Sequence, residues 1–183
     1  MRVLLSMTAV ALIASGCTDG VFAPNDERGW TVATVQGSVV SYYQGSGRFS
    51  VGDQYGDGTY GFFEIRSVDA LRGGLEGLVF ERFGSRLPTE GRYWLGEYDS
   101  DFFARYEIWN NGRWEWYSAE FGTLDIWSAS HERIEGEFRF SAVLTCVGDG
   151  VSMECQVPPP ANAPRIVVEG DFVAVRGSGY QLQ

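Results

Sequence analysis

The chain contains no lysine. Its 14 basic residues are all arginine, set against 24 acidic ones, for a formal charge of −10. That balance argues against nucleic acid as a partner, because phosphates are neutralised by Lys and Arg. It argues equally against a polybasic membrane patch. Histidine occurs once, as His131 in the turn-like stretch SASHERIEG. One histidine and a few cysteines fall short of a zinc ligand set. No serine sits in a G-x-S-x-G setting that would make it a nucleophile. The residues therefore point to no catalytic group, no metal centre and no cofactor, and the protein is expected not to be an enzyme. Helical periodicity is also missing. The nearest candidate, SVDALRGGL, carries two adjacent glycines, which are poor helix formers. No apolar run reaches the roughly 20 residues that a membrane-spanning helix needs.

Cysteine is scarce too, with three in all, and each has a separate reading. Met1-Arg2 supplies a positive start, and Val3–Ser15 follows without a charge. That is the layout of an export leader. It ends in Ile13-Ala14-Ser15-Gly16-Cys17, which resembles the lipobox of bacterial lipoproteins, where the cysteine is acylated and becomes the new N-terminus. Residues 1–16 are thus expected to be removed and Cys17 to be lipidated. Thr18 follows, not the aspartate that retains similar lipoproteins at the inner membrane, so the expected location is the outer membrane, on its periplasmic face or the cell surface. Acyl chains contribute about 0.8 kcal/mol per buried CH2, so the anchor alone holds the protein. Residues 17–29 read as a flexible tether. Cys146 and Cys155 flank VGDGVSME, and in an oxidising compartment they are expected to form a disulfide.

What remains, residues 30–183, is rich in glycine, in aromatics and in period-two alternation. In ERIEGEFRFSAVLTC the residues Ile134, Phe138, Phe140, Ala142 and Leu144 fall on one face and Glu135, Glu137, Arg139 and Ser141 on the other, as in a strand with one buried side. GTLDIWSAS turns Leu124 and Ile126 inward and Thr123, Asp125 and Trp127 outward. RIVVEGDFVAV places Ile166, Val168, Phe172 and Ala174 together. Further strands are expected over Trp30–Val35, Ser38–Tyr43, Tyr60–Ser67, Gly77–Phe83, Arg92–Tyr98, Phe102–Trp109 and Arg113–Ala119. About ten short strands separated by turn signals predict an all-β domain, either an antiparallel sandwich or an up-and-down, lipocalin-like barrel.

IWNNGRW is the strongest turn signal, since Asn-Gly supplies the two positive-φ positions of a type I′ hairpin. With Asn111-Gly112 as the loop, Trp109 pairs with Trp114 and Glu107 with Trp116. Trp109, Trp114 and Trp116 then share one face, and Tyr106, Ile108, Glu115 and Tyr117 share the other. The Ile108 side is expected inside, because Ile has no polar handle. The three tryptophans then form a candidate binding surface for glycan or an envelope protein. CQVPPPANAPR cannot supply ladder hydrogen bonds through its prolines and reads as an exposed connection. DQYGDGTYGFFE places Asp53, Asp57, Gly58 and Glu64 at calcium-loop spacing, but Tyr55 stands where a ligand belongs, so a plain β-turn is expected.

The order GTLDIW, RIEGEFRFSA and VVEGDFVAV, with Gly122–Ile126, Ile134–Phe140 and Gly170–Phe172 as its motifs, is similar to a family of uncharacterised bacterial lipoproteins. The resemblance spans about Trp30 to Val175. It implies an all-β domain on a lipid anchor and no assigned activity; the proline-rich insertion and its cysteine pair depart from it.

The resulting reading is a lipid-anchored envelope protein with a non-enzymatic binding or structural β domain. One alternative is a carrier holding a small apolar ligand in a barrel cavity, and another is an envelope hydrolase. An apolar cavity, a filled core with exposed aromatics, or a cleft with converging carboxylates distinguishes the three. The anchor makes its own prediction: wild-type protein partitions into detergent, whereas Cys17→Ser is soluble or stays uncleaved. An intact mass showing an unmodified cysteine on the mature protein contradicts it.

Overall fold

The computed structural model describes residues 29–53, 61–69, 73–97 and 99–177. The leader, Cys17 and the tether up to Arg28 lie outside the described residues, as do Asp57 and Gly58 of the calcium-like spacing. The described chain is all β: β1 (Trp30–Gly37), β2 (Ser41–Asp53), β3 (Gly61–Asp69), β4 (Glu76–Phe83), β5 (Gly91–Leu95), β6 (Phe103–Asn110), β7 (Arg113–Ala129), β8 (Arg133–Gly148), β9 (Met153–Cys155) and β10 (Arg165–Arg176).

The strand pairings run back on themselves. β1 pairs with β2, then β3, β4, β6, β7, β8 and β10 follow in order, and β10 pairs with β1 again. Every pairing around this ring is antiparallel, so the sheet partly closes into a barrel. Sheets that close leave few free edges to aggregate. The two longest strands, β7 and β8, form its spine. β6 and β5 occupy successive lengths of the outer edge of β7, opposite Arg113–Ser118 and Gly122–Ile126. β10 and β9 do the same along β8, opposite Arg133–Val143 and Cys146–Gly148.

Three extended spans differ from the sequence expectation. Arg113–Ala119 and the GTLDIW segment are one strand, not two. The ladder with β8 continues through them because Glu120 and Trp127 on β7, and Thr145 on β8, are extra residues without an opposite number. Such bulges bend and twist a long strand; here they let β7 follow the barrel wall. Second, β2 runs on to Asp53 through three glycines that weaken its strand signal. Third, the proline excursion contains β9, which folds back beside β8 before the chain rejoins the same edge as β10.

The barrel has two ends. One carries the β2–β3, β4–β5 and β7–β8 connections and both ends of the described chain. The other carries the β1–β2, β3–β4, β6–β7 and β8–β9 turns. Inside, the wall is filled by aromatic rings. Phe80 packs against Phe138, Phe140 and Phe172 with centroids 5.1, 6.2 and 6.3 Å away. Phe63 joins Phe49 and Phe102, and Tyr93 meets Phe102 edge-on. The guanidinium of Arg82 lies 5.5 Å over the Phe102 ring. So close is the packing that Gly136 and Gly170, at inward positions, have no room for a methyl group. A Cβ on Gly170 would run into the carbonyl oxygen of Val32, and one on Gly136 into that of Asp125 and the ring of Phe172.

Toward the hairpin end the filling changes to tyrosines and carboxylates. Tyr43 donates to Ser67 Oγ at 2.7 Å. Ser41 Oγ donates to Glu76, with its two oxygens at 3.0 and 3.1 Å. Tyr117 donates to Glu115 Oε2 at 3.1 Å, and Arg113 donates to the other oxygen of that carboxylate. Burial pushes the Tyr43 and Tyr117 hydroxyls above the usual phenol range, so both remain protonated donors. Each buried carboxylate named here has partners, which is the condition for keeping such a group in a core.

The ring cluster makes a direct prediction. Phe80→Ala is expected to lose about 3–5 kcal/mol in urea unfolding, as cavities in packed cores do. Trp94→Ala, at a side chain 64% exposed, is expected to shift stability by no more than about 0.5 kcal/mol. Equal losses would contradict the filled interior.

Candidate functional site

The β6–β7 hairpin has the expected register. Asn110 faces Arg113, Trp109 faces Trp114 and Glu107 faces Trp116. Asn111 and Gly112 take φ of 51° and 81°, the two positive values that a type I′ turn requires. Tyr106, Ile108, Glu115 and Tyr117 are buried, so that face is the inner one. Trp109, Trp114 and Trp116 therefore stand together outside. None of the three is fully exposed; each is half-buried by its neighbours.

Those neighbours give the surface its chemistry. Trp109 and Trp114 pack edge to face, centroids 5.8 Å apart, an arrangement favoured by ring quadrupoles. The Arg105 guanidinium lies 4.4 Å from the centre of the Trp116 ring, held there by Glu107 at 2.7 Å. A cation on an aromatic face is worth about 0.5–1 kcal/mol at exposed sites. The Cys146–Cys155 bond is formed, between directly opposed residues of β8 and β9 with Cα atoms 4.1 Å apart. In the turn that it closes, Gly150 sits against the Trp114 indole; a Cβ there would lie 3.0 Å from the ring. The disulfide thus fixes the border of the tryptophan face. Closing so short a loop stabilises by about 2–3 kcal/mol in the chain-entropy account.

Next to Trp116 the outer face continues as a groove of about 480 Å³, lined by Val79, Glu81, Glu97, Phe103, Arg105 and Ser118 among others. Glu81 is directly opposite Glu64 across β3 and β4. Burial, then the hydrogen bond to Glu64, raise the Glu81 carboxyl above the ordinary glutamate range, while Arg105 and Arg66 oppose the shift. Arg66 binds Glu64 at 3.0 Å. A second outer groove, about 440 Å³, lies over β1, β10, β8 and β7. There Asp125, Glu137 and Asp171 stand opposite one another in a row across three strands. Arg92 meets Asp125 at 2.7 Å and Arg139 approaches Glu169 at 3.6 Å. Among the described residues no group of three or more His, Cys, Asp or Glu is arranged to hold a metal ion. His131 is exposed in a turn where Ser130 Oγ accepts the amides of Glu132 and Arg133.

Sequence reasoning brought the three tryptophans and the two cysteines to their places but missed the carboxylate pair and the grooves. Alternation puts Glu64 and Glu81 on the outer face. Only the register between β3 and β4, which no turn motif specifies, sets them side by side. Compared with protein-family models, characterised proteins and solved structures, the chain has no significant match.

The carboxylate pair makes the pH prediction. A carboxyl raised by folding binds its proton more tightly in the native state, so it favours folding at low pH. That contribution is lost as pH rises through its folded value. Glu81→Gln is expected to flatten the stability profile from the ordinary glutamate range upward and to be more stable than wild type at neutral pH. Unfolding midpoints across pH check it; a parallel wild-type and variant profile contradicts it.

Proposed function

We propose that this is a lipid-anchored, exported protein of the bacterial outer membrane whose barrel works through its outer wall, as a non-enzymatic module that contacts glycan or another envelope protein. One observation supports this reading most. The interior is occupied by Phe49, Phe63, Phe80, Phe102, Phe138, Phe140 and Phe172, and the grooves lie outside, beside aromatic and charged side chains. A carrier of apolar ligands needs an interior space. A surface binder needs the reverse, rings and polar groups on a rigid outer wall. Trp109, Trp114 and Trp116, with Arg105 and Glu107, meet that requirement: indole faces suit the apolar faces of sugar rings, and the ion pair suits their hydroxyls. The strand motifs that resemble a lipoprotein family agree with this reading and add no activity to it.

The test uses isolated murein sacculi as the glycan probe. Wild-type protein is expected to co-sediment with them, and Trp114→Ala/Trp116→Ala to remain in the supernatant. The double variant is expected to stay folded, losing about 1–3 kcal/mol for one aromatic pair and one cation–ring contact. Equal sedimentation of both proteins, or of neither, contradicts the glycan reading.

A further inference from the structure

The most exposed large aromatic side chains are not the hairpin tryptophans. They are Phe83 at 79%, Phe121 at 67%, Trp94 at 64% and Trp127 at 50%, with Tyr42 apart from them. Phe83 ends β4, Trp94 lies on β5 opposite Thr123, and Phe121 and Trp127 lie on the second half of β7. Phe103, the first residue of β6, packs edge-on against Phe83 at 5.8 Å. These residues form one arc of neighbouring strands on the half of the barrel away from the hairpin turn. Soluble surfaces seldom carry so large an aromatic patch without use.

The position of the arc names its occupant. Gly29 and Trp30, where the described chain begins, are at the same end of the barrel: Trp30 is opposite Val173, Val173 opposite Glu135, and Glu135 opposite Ser128, beside Trp127. About 12 residues separate Cys17 from Gly29, giving a flexible reach of roughly 20 Å. An acylated Cys17 therefore brings this end, and not the hairpin end, to the bilayer. Tryptophan and phenylalanine are suited to the headgroup layer, where an apolar ring can sit below the water. Arg86 stands exposed beside the arc, a cation for a lipid phosphate. The net charge of −10 disfavours anionic lipid, so the layer is a zwitterionic one.

We infer that Phe83, Trp94, Phe121 and Trp127 seat the barrel on the zwitterionic headgroup layer next to its own lipid anchor, leaving the hairpin tryptophans pointing away from the membrane. This rests on the anchor reading above, and the anchor supplies most of the attachment while the arc sets the orientation. The test uses the mature lipoprotein reconstituted in phosphatidylcholine vesicles whose acyl chains are brominated near the headgroup. Of its six tryptophans, two are in the arc, so roughly a third of the emission is expected to be quenched. Trp94→Phe/Trp127→Phe is expected to abolish the quenching, and Trp114→Phe/Trp116→Phe to leave it intact. Unquenched emission from protein whose mass shows the acyl chains overturns the seat alone, as does quenching that survives loss of Trp94 and Trp127. A mass without acyl chains overturns the anchor, and this inference with it.

Discussion

The long antiparallel pairing of β7 with β8 is the contact on which the rest of the barrel depends. It runs from Trp114 opposite Gly148 to Ala129 opposite Ile134. Each strand then offers its other edge to two shorter partners, β6 and β5 on one side, β10 and β9 on the other. Without this pairing β6 and β10 would be the rims of an open sheet. With it the ring closes and the inner face of every strand has something to bury against. The bulges at Glu120, Trp127 and Thr145 permit it, because strands of 17 and 16 residues cannot stay flat around a wall of eight. At Thr145 the extra residue is tied down: its hydroxyl bonds Ser118 Oγ at 2.8 Å and the Trp116 carbonyl at 3.3 Å.

Closure explains the division of labour across the wall. The inside is small and is packed with rings, in keeping with the interior of a barrel of about eight strands. Function is then left to the outside, where the alternation that buries Phe138 and Phe140 exposes Glu137 and Arg139. The outer wall is not uniform. Toward the hairpin it carries partly covered tryptophans bordered by a disulfide-held turn, in its middle a charged groove, and toward the chain termini uncovered aromatics. A tethered protein with two different aromatic surfaces at opposite ends can meet two different environments at once.

Local pattern made much of this legible in the sequence, and pairing made the rest illegible. Alternation identified the inward residues of β8, β7 and β10 because a half-buried strand must alternate. Asn111-Gly112 specified both a turn and a register, and so the shared face of Trp109, Trp114 and Trp116. The Cys146–Cys155 bond followed from compartment and spacing. By contrast, nothing local announces that Arg113–Ala119 and Gly122–Ala129 are continuous, since a bulge looks like a break in alternation. The buried Ser41–Glu76 contact was also hidden: a Glu opening a strand reads as solvated until the neighbouring strand supplies its donor. The exposed ring of Trp94 was concealed for the same reason, because β5 is short and its face depends on β7.

The central claim is that the barrel is filled and works from its outer wall. Solution NMR of the protein titrated with a long-chain fatty acid tests it most directly, by following the ring protons of Phe80, Phe138 and Phe172. The account predicts that these resonances do not move at any concentration below the micellar range. Saturable shifts confined to those interior rings would contradict it and would make the barrel a carrier.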